Sequence, residues 1–239
     1  MSMHRLSRTA VLVVSMALYG VGPASASDLL SRIVSFLGIS ATPSQMKAPD
    51  EVHSGDVWVA DANRDARARL TIDGGYSWPV FDSAVARILA LKGGALYEIP
   101  LVGGQARRLM PVAGIVKLIG FDREHPGRLL ALRPDQNAEI VILSPATGEM
   151  TAIAYDPESS EDRLLLAHLR GEERAYGDIL LYLRRETRSD VTGAVLEWTD
   201  VFIKEADKRP RNISLCDGVN CSQPSLSVDH QRITFVRAR

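Results

Sequence analysis

Two pentapeptides decide the fold: RILAL at residues 87–91 and RLLAL at residues 128–132, about 40 residues further along the chain. Looser copies of the same run are DILLY at residues 178–182 and RITFV at residues 232–236. A second family of short apolar runs lies between them, at residues 57–59, 96–99, 140–143 and 201–203. The chain therefore contains an internal repeat.

A third family of short runs completes each unit. Three copies follow the second family after a turn-rich stretch, at residues 69–71, 108–110 and 212–214, and residues 150–153 are a weaker fourth. All these runs are rich in β-branched or aromatic residues and are bounded by Gly, Pro, Asn and Asp, which is typical of strands in hairpins. A unit of 40 to 50 residues with four strands predicts an all-β fold, a small β-propeller. A β-sandwich with accidental similarity is the alternative, and the near-identical pentapeptides favour the repeat.

The order of strand types at the two ends predicts how the ring closes. The chain enters with third-strand and fourth-strand types at residues 56–60 and 68–71, and leaves with first-strand and second-strand types at residues 225–227 and 232–236. Together the termini make one complete blade, which gives about four four-stranded blades and removes exposed sheet edges. The competing arrangement is an open half-ring that pairs with a second copy or with another protein.

The repeat resembles the TolB-type β-propeller. Blades of that family carry Leu-Thr after the third strand and a Pro-x-(Trp/Phe)-Ser-Pro-Asp-Gly turn before the next strand. Here RLT at residues 69–71 and WPVFD at residues 78–82 follow that order, and QPSLSVDHQRI at residues 223–233 matches it better, with Val228 in place of Pro and His230 in place of Gly. The resemblance covers about residues 55–239 and implies a propeller fold. That family has an additional N-terminal α/β domain, which we do not expect here, because only about 28 residues lie between the expected cleavage site and residue 55.

The longest unit predicts a protruding hairpin. Residues 164–169 and 178–183 are predicted strands around a connection at residues 170–177, and residues 184–193 are a predicted charged tip that contains Arg184, Arg185 and Arg188. These arginines are candidate partner-binding residues, because loops give propellers their specificity, although a solvated loop has the same composition.

Residues 1–26 have the pattern of a secretory signal peptide. A basic start is followed by about 13 apolar residues and by Ala24-Ser25-Ala26, which predicts cleavage between Ala26 and Ser27. The apolar run is shorter than the roughly 20 residues that span a bilayer, and no later stretch is long enough. We therefore expect a soluble periplasmic protein, or a secreted one, without an integral membrane segment after cleavage.

Residues 27–54 are expected to form a short amphipathic helix and a linker before the propeller at residues 55–239. Leu30, Ile33 and Leu37 belong to an apolar stripe at helical spacing. This stripe either packs on the flank of the propeller or offers a partner-binding face.

Cys216 and Cys221 are the only cysteines. In an oxidising compartment the Asp-Gly pair between them lets the chain turn tightly enough for a structural disulfide. Free thiols are the alternative.

Composition and motifs give no enzyme signature. The formal net charge of −1 gives no case for a nucleic-acid partner. The histidines lack metal-ligand spacing, residues 61–65 are typical of a hairpin turn and not of a calcium loop, and no nucleophile elbow is found, so no catalytic residue, cofactor or metal site is predicted. The sequence favours a non-catalytic, protein-binding scaffold of the cell envelope, monomeric or homodimeric, whose partner is another envelope protein. The alternative is a small propeller enzyme, a metal-assisted hydrolase or lyase, with its site at the tunnel mouth.

Overall fold

The computed structural model describes residues 54–82, 86–121, 127–133, 139–153, 174–189 and 191–239. The regular structure of these residues consists of strands, arranged in four four-stranded antiparallel sheets. No helix within the described ranges is long and apolar enough to cross a membrane. The architecture is that of a small four-bladed β-propeller, as the repeat predicts.

Each sheet is one blade, with its strands side by side in order from the inner to the outer strand. The second blade contains β3 (Ser77–Asp82), β4 (Arg87–Lys92), β5 (Ala95–Pro100) and β6 (Arg107–Pro111). The third blade contains β7 (Lys117–Phe121), β8 (Leu129–Arg133), β9 (Glu139–Ser144) and β10 (Glu149–Ile153). The fourth blade contains β11 (Arg174–Tyr176), β12 (Ile179–Ser189), β13 (Val195–Glu205) and β14 (Arg211–Asn212).

The remaining sheet, which we call the closing blade, is built from both ends of the chain. It contains β15 (Cys221–Leu226), β16 (Arg232–Arg237), β1 (Asp56–Asp61) and β2 (Arg67–Arg69), in that order. Strands β1 and β16 pair antiparallel from Asp56↔Arg237 to Asp61↔Arg232. The prediction that the two termini share one blade is therefore confirmed.

The repeated pentapeptides all form the second strand of a blade. Strands β4, β8, β12 and β16 each lie between two other strands of their sheet. In β4 the run Ile88, Leu89, Ala90 and Leu91 is buried without alternation. A strand whose two faces are both covered by neighbouring sheets requires such a continuous apolar run. Strands β8 and β16 show the same continuous burial, so the pentapeptide repeats because these blades need a doubly buried second strand. Within β12 of the fourth blade only Leu181 is buried, and its copy of the pentapeptide is one of the looser ones.

The inner strands of two blades share a bulge. In β3 the register shifts between Ser77 and Val80, and in β15 between Ser222 and Ser225. Trp78 and Gln223, each followed by a proline, lie at these shifts with positive φ values of 51° and 56°. Bulges turn a strand and redirect its side chains, and the Gln223 Oε1 atom accepts a hydrogen bond of 2.6 Å from the Trp78 backbone N–H. The two bulges thus join neighbouring blades.

Three apolar clusters hold adjacent blades together. One joins the second and third blades around Leu96 and Leu129. Another joins the closing and second blades around Val57 and Ile88. The last joins the closing and fourth blades around Phe235 and Val201. Burial of apolar side chains between sheets is the main stabilising contribution in such a fold.

The fourth blade differs from its sequence-based prediction in two details. The charged run 184–189 is not a hairpin tip, because β12 continues to Ser189 and the turn lies beyond it. A strand, β11, lies within residues 170–177, where the sequence predicts a connection. The strand expected at residues 164–169 and the helix expected within residues 27–54 lie outside the described residues.

The turn of the TolB-type pattern is formed as expected in the closing blade. The Asp229 carboxylate accepts hydrogen bonds from the Ser227 hydroxyl at 2.5 Å and from the Gln231 N–H at 3.1 Å. His230, which replaces the family glycine, has a φ of 56°. Glycine is favoured there because it adopts positive φ without a steric penalty.

Candidate functional site

A two-stranded ribbon projects from the fourth blade. Strands β12 and β13 pair over 11 residues each, from Ile179↔Glu205 to Ser189↔Val195. Within the described part of the chain, β11 pairs only with Ile179–Leu181, and β14 pairs only with Phe202 and Ile203. The ribbon therefore extends well beyond its sheet, and its outer rows have no strand beside them among the described residues.

The end of the ribbon exposes apolar side chains. Val191 in the turn is fully exposed, and Val195 and Leu196 on β13 are 60% and 43% exposed. The remaining outer positions are charged or polar, as is usual for an exposed edge strand. Val195 and Leu196 are consecutive in β13, so their side chains lie on opposite faces of the ribbon. Exposed apolar side chains on both faces of the tip make it a candidate contact surface for another protein.

The three predicted partner-binding arginines lie on the ribbon, and each has an acidic neighbour. Arg184 bonds the Glu186 carboxylate at 2.6 Å and covers the Phe202 ring at 3.8 Å. Arg185 lies 3.7 Å from Glu197 on the opposite strand. Arg188 bonds Asp217, in the turn closed by the disulfide, at 2.6 Å. The arginine side chains are about half exposed or more, so these ion pairs contribute little to stability. Their role in partner binding remains a prediction.

The base of the ribbon is held by a buried carboxylate. Asp200 Oδ1 accepts hydrogen bonds from the Ser214 hydroxyl at 2.6 Å and the Cys216 N–H at 2.7 Å, and Oδ2 accepts bonds from Trp198 Nε1 at 2.9 Å and Asn212 Nδ2 at 3.0 Å. Burial alone would raise the pKa of Asp200, but these four hydrogen bonds together bring it below the usual value. Asp200 therefore stays ionised and fixes the position where the ribbon leaves the sheet.

The disulfide supports the other side of this base. Cys216 and Cys221 are joined and fully buried, with their Cα atoms 6.2 Å apart. The Asn220 carboxamide oxygen accepts a hydrogen bond of 3.0 Å from the Thr199 N–H on β13. The disulfide predicted from the sequence is present, and its turn contacts the ribbon directly.

A second candidate surface is a groove between the closing and second blades. It has a volume of about 670 Å³ and is lined by residues of the closing blade, including Arg69, and by the loop that joins β5 and β6. Tyr76 and Tyr97 meet edge to face with their ring centroids 5.8 Å apart, and Lys92 Nζ lies 4.2 Å from the Tyr76 centroid. Burial, and next the Asp73 carboxylate, raise the pKa of Tyr76, so its phenol is neutral. The groove is a mixed aromatic and charged surface.

A second buried carboxylate, that of Asp56, bonds two residues that line this groove, Arg69 and Thr71. Asp56 Oδ1 accepts hydrogen bonds from the Gly74 N–H at 2.9 Å and the Thr71 hydroxyl at 3.3 Å. Asp56 Oδ2 bonds Arg69 at 2.5 Å and Arg239 at 3.1 Å. Burial would raise the pKa of Asp56, and the hydrogen bonds from Arg239, Gly74 and Arg69 lower it overall.

Three residues near the beginning of the inner strands β3, β7 and β15 connect three blades. Lys117 on β7 is buried, and its Nζ lies 4.2 Å from the Trp78 ring centroid, while Gln223 on β15 bonds the Trp78 backbone. A buried ammonium over an indole face is an attractive contact. Across the described ranges, no group of three or more His, Cys, Asp or Glu side chains is placed to hold a metal ion.

Sequence reasoning missed Asp56 and Asp200, and it missed the exposed valines and leucine of the ribbon. The sequence gives only a partial signal for the two aspartates: each directly precedes an apolar third-strand run, and each blade later carries Leu70-Thr71 or Ile213-Ser214. Leu30, Ile33, Leu37 and the expected cleavage site at Ala26 and Ser27 lie outside the described residues.

No protein-family model matches the chain, and no curated protein matches it. Among solved structures, "putative TolB" from Agrobacterium tumefaciens is similar with a TM-score of 0.37 and 12% identity, over 75% of this chain and 60% of that one. The AtxE2 isopeptidase without ligand gives a TM-score of 0.30 and 16% identity, over 68% of this chain and 26% of that one. The tricorn protease gives a TM-score of 0.19 and 10% identity, over 78% of this chain and 20% of that one.

The chain thus spans no more than 60% of the length of any of these three proteins. The propeller fold itself rests on the four sheets and on their shared strand order.

Proposed function

We propose that this protein is an exported, non-catalytic β-propeller that binds another protein of the cell envelope, and that the projecting ribbon is its contact surface. The observation that carries the proposal is the length of β12 and β13 beyond the strands that flank them. Loops and projections supply partner specificity on propeller scaffolds, since the blades themselves are occupied with packing.

The outer edge of the ribbon is a candidate site for pairing with a strand of a partner. Residues 182–189 of β12 have no neighbouring strand on their outer side among the described residues. An extended segment of another protein can add to such an edge through main-chain hydrogen bonds, with alternate side chains giving specificity. The partner chemistry that fits is an extended peptide that carries apolar residues, because Val195 and Leu196 are partly exposed on the two faces of the ribbon.

The base of the ribbon favours binding because it is already ordered. Asp200, the disulfide turn and the contact between Arg188 and Asp217 hold β12 and β13 in place. A surface that is fixed before binding loses less conformational entropy when the partner docks. A protein-binding role makes use of this rigidity.

The expected location agrees with the covalent chemistry. A disulfide persists in oxidising compartments such as the bacterial periplasm, and residues 1–26 have the pattern of an export signal. N-terminal sequencing of the protein recovered from the periplasm should begin at Ser27, and recovery of an uncleaved cytoplasmic chain would contradict the export part of the proposal.

Affinity capture from an envelope fraction tests the binding role. We expect the wild-type chain and the Val228→Asp variant to retain the same partner, because Val228 is half exposed and lies at a pocket shared with Phe81 and Leu101 of the second blade. Val195→Asp combined with Leu196→Asp should lose at least 90% of that partner while keeping the wild-type unfolding midpoint. Both aspartates would place a charge where apolar contact is expected.

Two results would overturn the proposal. Equal capture by the wild type and by the ribbon variant would remove the ribbon from the contact. Recovery of a bound divalent metal in place of any protein partner would favour the propeller enzyme.

A further inference from the structure

The groove between the closing and second blades has an unpaired arginine beside it. Arg108 on β6 lies directly opposite Tyr97 on β5, so the two side chains are on the same face of the sheet, and Tyr97 lines the groove. The next pair along, Glu98 and Arg107, forms an ion pair of 2.8 Å on the other face. Arg108 is exposed and forms no ion pair within the described residues. Its guanidinium is therefore available to an anionic group.

A second arginine lines the groove from the closing blade. The Arg69 side chain is 41% exposed. Its Nη2 atom bonds Asp56 and its Nε atom bonds the Thr71 carbonyl, whereas Nη1 has no partner among the residues that the structure describes. Asp56 also accepts a bond from Arg239. Arg69 therefore keeps a donor to spare after its internal ion pair is made.

The loop that joins β5 and β6 adds backbone donors to the groove. Gly103 and Gly104 have positive φ values of 79° and 125°, and a Cβ atom at either position would meet nothing within 4 Å. Glycine at such a position lets another chain approach the backbone closely. The N–H groups of Gly104 and Gln105 form no hydrogen bond with another described residue. Both can donate to an acceptor that enters the groove.

The carboxylate that lines the groove is already engaged. Asp73, the one acidic residue in the described lining, accepts hydrogen bonds from Lys92 Nζ and, at 3.1 Å, from the Tyr76 hydroxyl. The groups left over are arginine and backbone N–H donors. A surface with spare donors of this kind favours a ligand rich in anionic acceptors, and charge-assisted hydrogen bonds are the strong ones.

The shape of the groove suits an extended chain. Its lining includes Lys92, which precedes β5, and Gly103, which follows it. The six residues of β5 extend over roughly 20 Å at about 3.3 Å each. The volume of about 670 Å³ lies within the range of about 300 to 1,000 Å³ that is typical of ligand sites. Ile72, which is 77% exposed, adds an apolar side chain to the lining.

From these observations we propose that the groove binds an extended acidic peptide segment of another protein, with carboxylates at Arg108 and Arg69 and an apolar side chain against Ile72. An extended peptide also presents main-chain carbonyls, which accept from the N–H groups of Gly104 and Gln105. The groove belongs to the closing and second blades, whereas the ribbon belongs to the fourth. The inference therefore goes beyond the proposed function, and each can fail without the other.

Selection from a random decapeptide library on the immobilised full chain tests the inference. We expect the retained peptides to be enriched at least threefold in Asp and Glu over the input. Arg108→Ala should lower the affinity of the best retained peptide at least tenfold, because it removes the unpaired guanidinium. Arg209→Ala is the matched control and should change this affinity by less than twofold. Arg209 is also exposed and without an ion pair among the described residues, but it lies between β13 and β14 of the fourth blade.

The ribbon variant separates the two surfaces. Val195→Asp combined with Leu196→Asp should retain the same acidic peptides as the wild type, and loss of these peptides would assign them to the ribbon and overturn the inference. Retained peptides without acidic enrichment, or equal affinities for wild type and Arg108→Ala, would also overturn it. If no peptide is retained and the chain binds the acidic polysaccharide polygalacturonate, the groove belongs to an anionic glycan. Failure to retain either probe rejects the inference outright.

Discussion

The closing blade and the fourth blade each place a buried aspartate in their third strand, and they hold it with different partners. In both blades a hydroxyl group in the segment after the outer strand donates a hydrogen bond to the carboxylate and accepts one from the backbone N–H of the residue that follows the aspartate. The Thr71 hydroxyl bonds Asp56 and Val57 in this way, and the Ser214 hydroxyl bonds Asp200 and Val201. The closing blade adds two arginines, Arg69 and Arg239. The fourth blade adds only neutral donors.

The comparison shows what this arrangement does. We call it the aspartate latch: a buried carboxylate that ties the third strand to the segment leaving the outer strand. In the closing blade β1 begins at the latch, whereas in the fourth blade β13 begins five residues before it and forms the ribbon. In the second blade, β5 has the same burial pattern as β1 but begins with Ala95. The latch therefore marks the point where the third strand enters its sheet. It does so in the closing blade, which contains both chain ends, and in the fourth blade, which carries the ribbon.

The largest expected effect is loss of the neutral latch. Asp200→Ala removes the acceptor of three side-chain donors and one backbone N–H in a buried site, so we expect the free energy of unfolding to fall by about 4 kcal/mol. Urea denaturation measures this loss. Asp207→Ala, at an exposed position of the same blade, should change stability by less than about 0.5 kcal/mol. A loss below about 1 kcal/mol for Asp200→Ala would show that the latch is not a structural element.

The disulfide is expected to contribute less than the latch that it adjoins. Replacing both Cys216 and Cys221 by Ala should lower the free energy of unfolding by about 2 kcal/mol, since the closed loop is short. Reductant should produce a similar loss in the wild type and no further loss in the double variant. If reductant left the wild-type unfolding midpoint unchanged, the covalent link would have no part in supporting the ribbon base.

The charged latch should be weaker and sensitive to salt. Asp56→Ala is expected to cost about 1.5 kcal/mol, because Arg69 and Arg239 are 41% and 52% exposed and can be hydrated once the carboxylate is gone. Raising the salt concentration should reduce the difference in the free energy of unfolding between wild type and Asp56→Ala. It should leave the corresponding difference between wild type and Asp200→Ala unchanged. An equal salt response in the two pairs would contradict the distinction between the latches.

Much of the fold follows from the sequence because three of the four blades need the same doubly buried second strand. The run RILAL and its copies therefore identify one strand in every blade, and the order of strand types at the termini predicts the closing blade. The ribbon was harder to predict, since Arg185 and Glu197 form a cross-strand pair but look like loop residues in the sequence. The exposed face of a strand tolerates charged side chains, which a face packed against another sheet excludes.

The latches could not be identified for a different reason. Asp56 and Asp61 stand at the two ends of one strand and look equivalent in the sequence, but Asp61 bonds the N–H groups of Asn63 and Arg64 in an exposed turn. Asp56 is buried because Thr71 and Gly74, 15 and 18 residues away, return to it. Pairings of that range depend on tertiary structure, which single-sequence patterns do not encode.

Acid should affect the neutral latch in a defined direction. The pKa of Asp200 is lowered from its ordinary value of 3.8 in the folded state, so the unfolded chain binds more protons near that pH. Its contribution to stability is therefore present above pH 3.8 and is lost as the pH falls through the folded-state pKa. The stability of Asp200→Asn should decline less steeply than that of wild type below about pH 4. Parallel pH profiles from chemical denaturation would contradict the lowered pKa.

The smallest effect is expected from exchanging the partners of the two latches. Arg69 lies opposite Trp58, two residues after Asp56, and Asn212 lies opposite Phe202, two residues after Asp200, so the two side chains occupy matching positions. Arg69→Asn should cost only about 0.5 kcal/mol, because a half-exposed ion pair contributes little, and it should reduce the salt dependence of stability.

Arg69→Ala serves as the control for that exchange, since it removes the donor altogether and should cost more than Arg69→Asn. The asparagine can still donate to Asp56 Oδ2 in the way that Asn212 donates to Asp200. A loss above about 2 kcal/mol for Arg69→Asn would mean that Asp56 requires a neutralising charge, in the manner of a buried ion pair with one partner removed. The two blades would then share the geometry of the latch but not the physical reason for its stability.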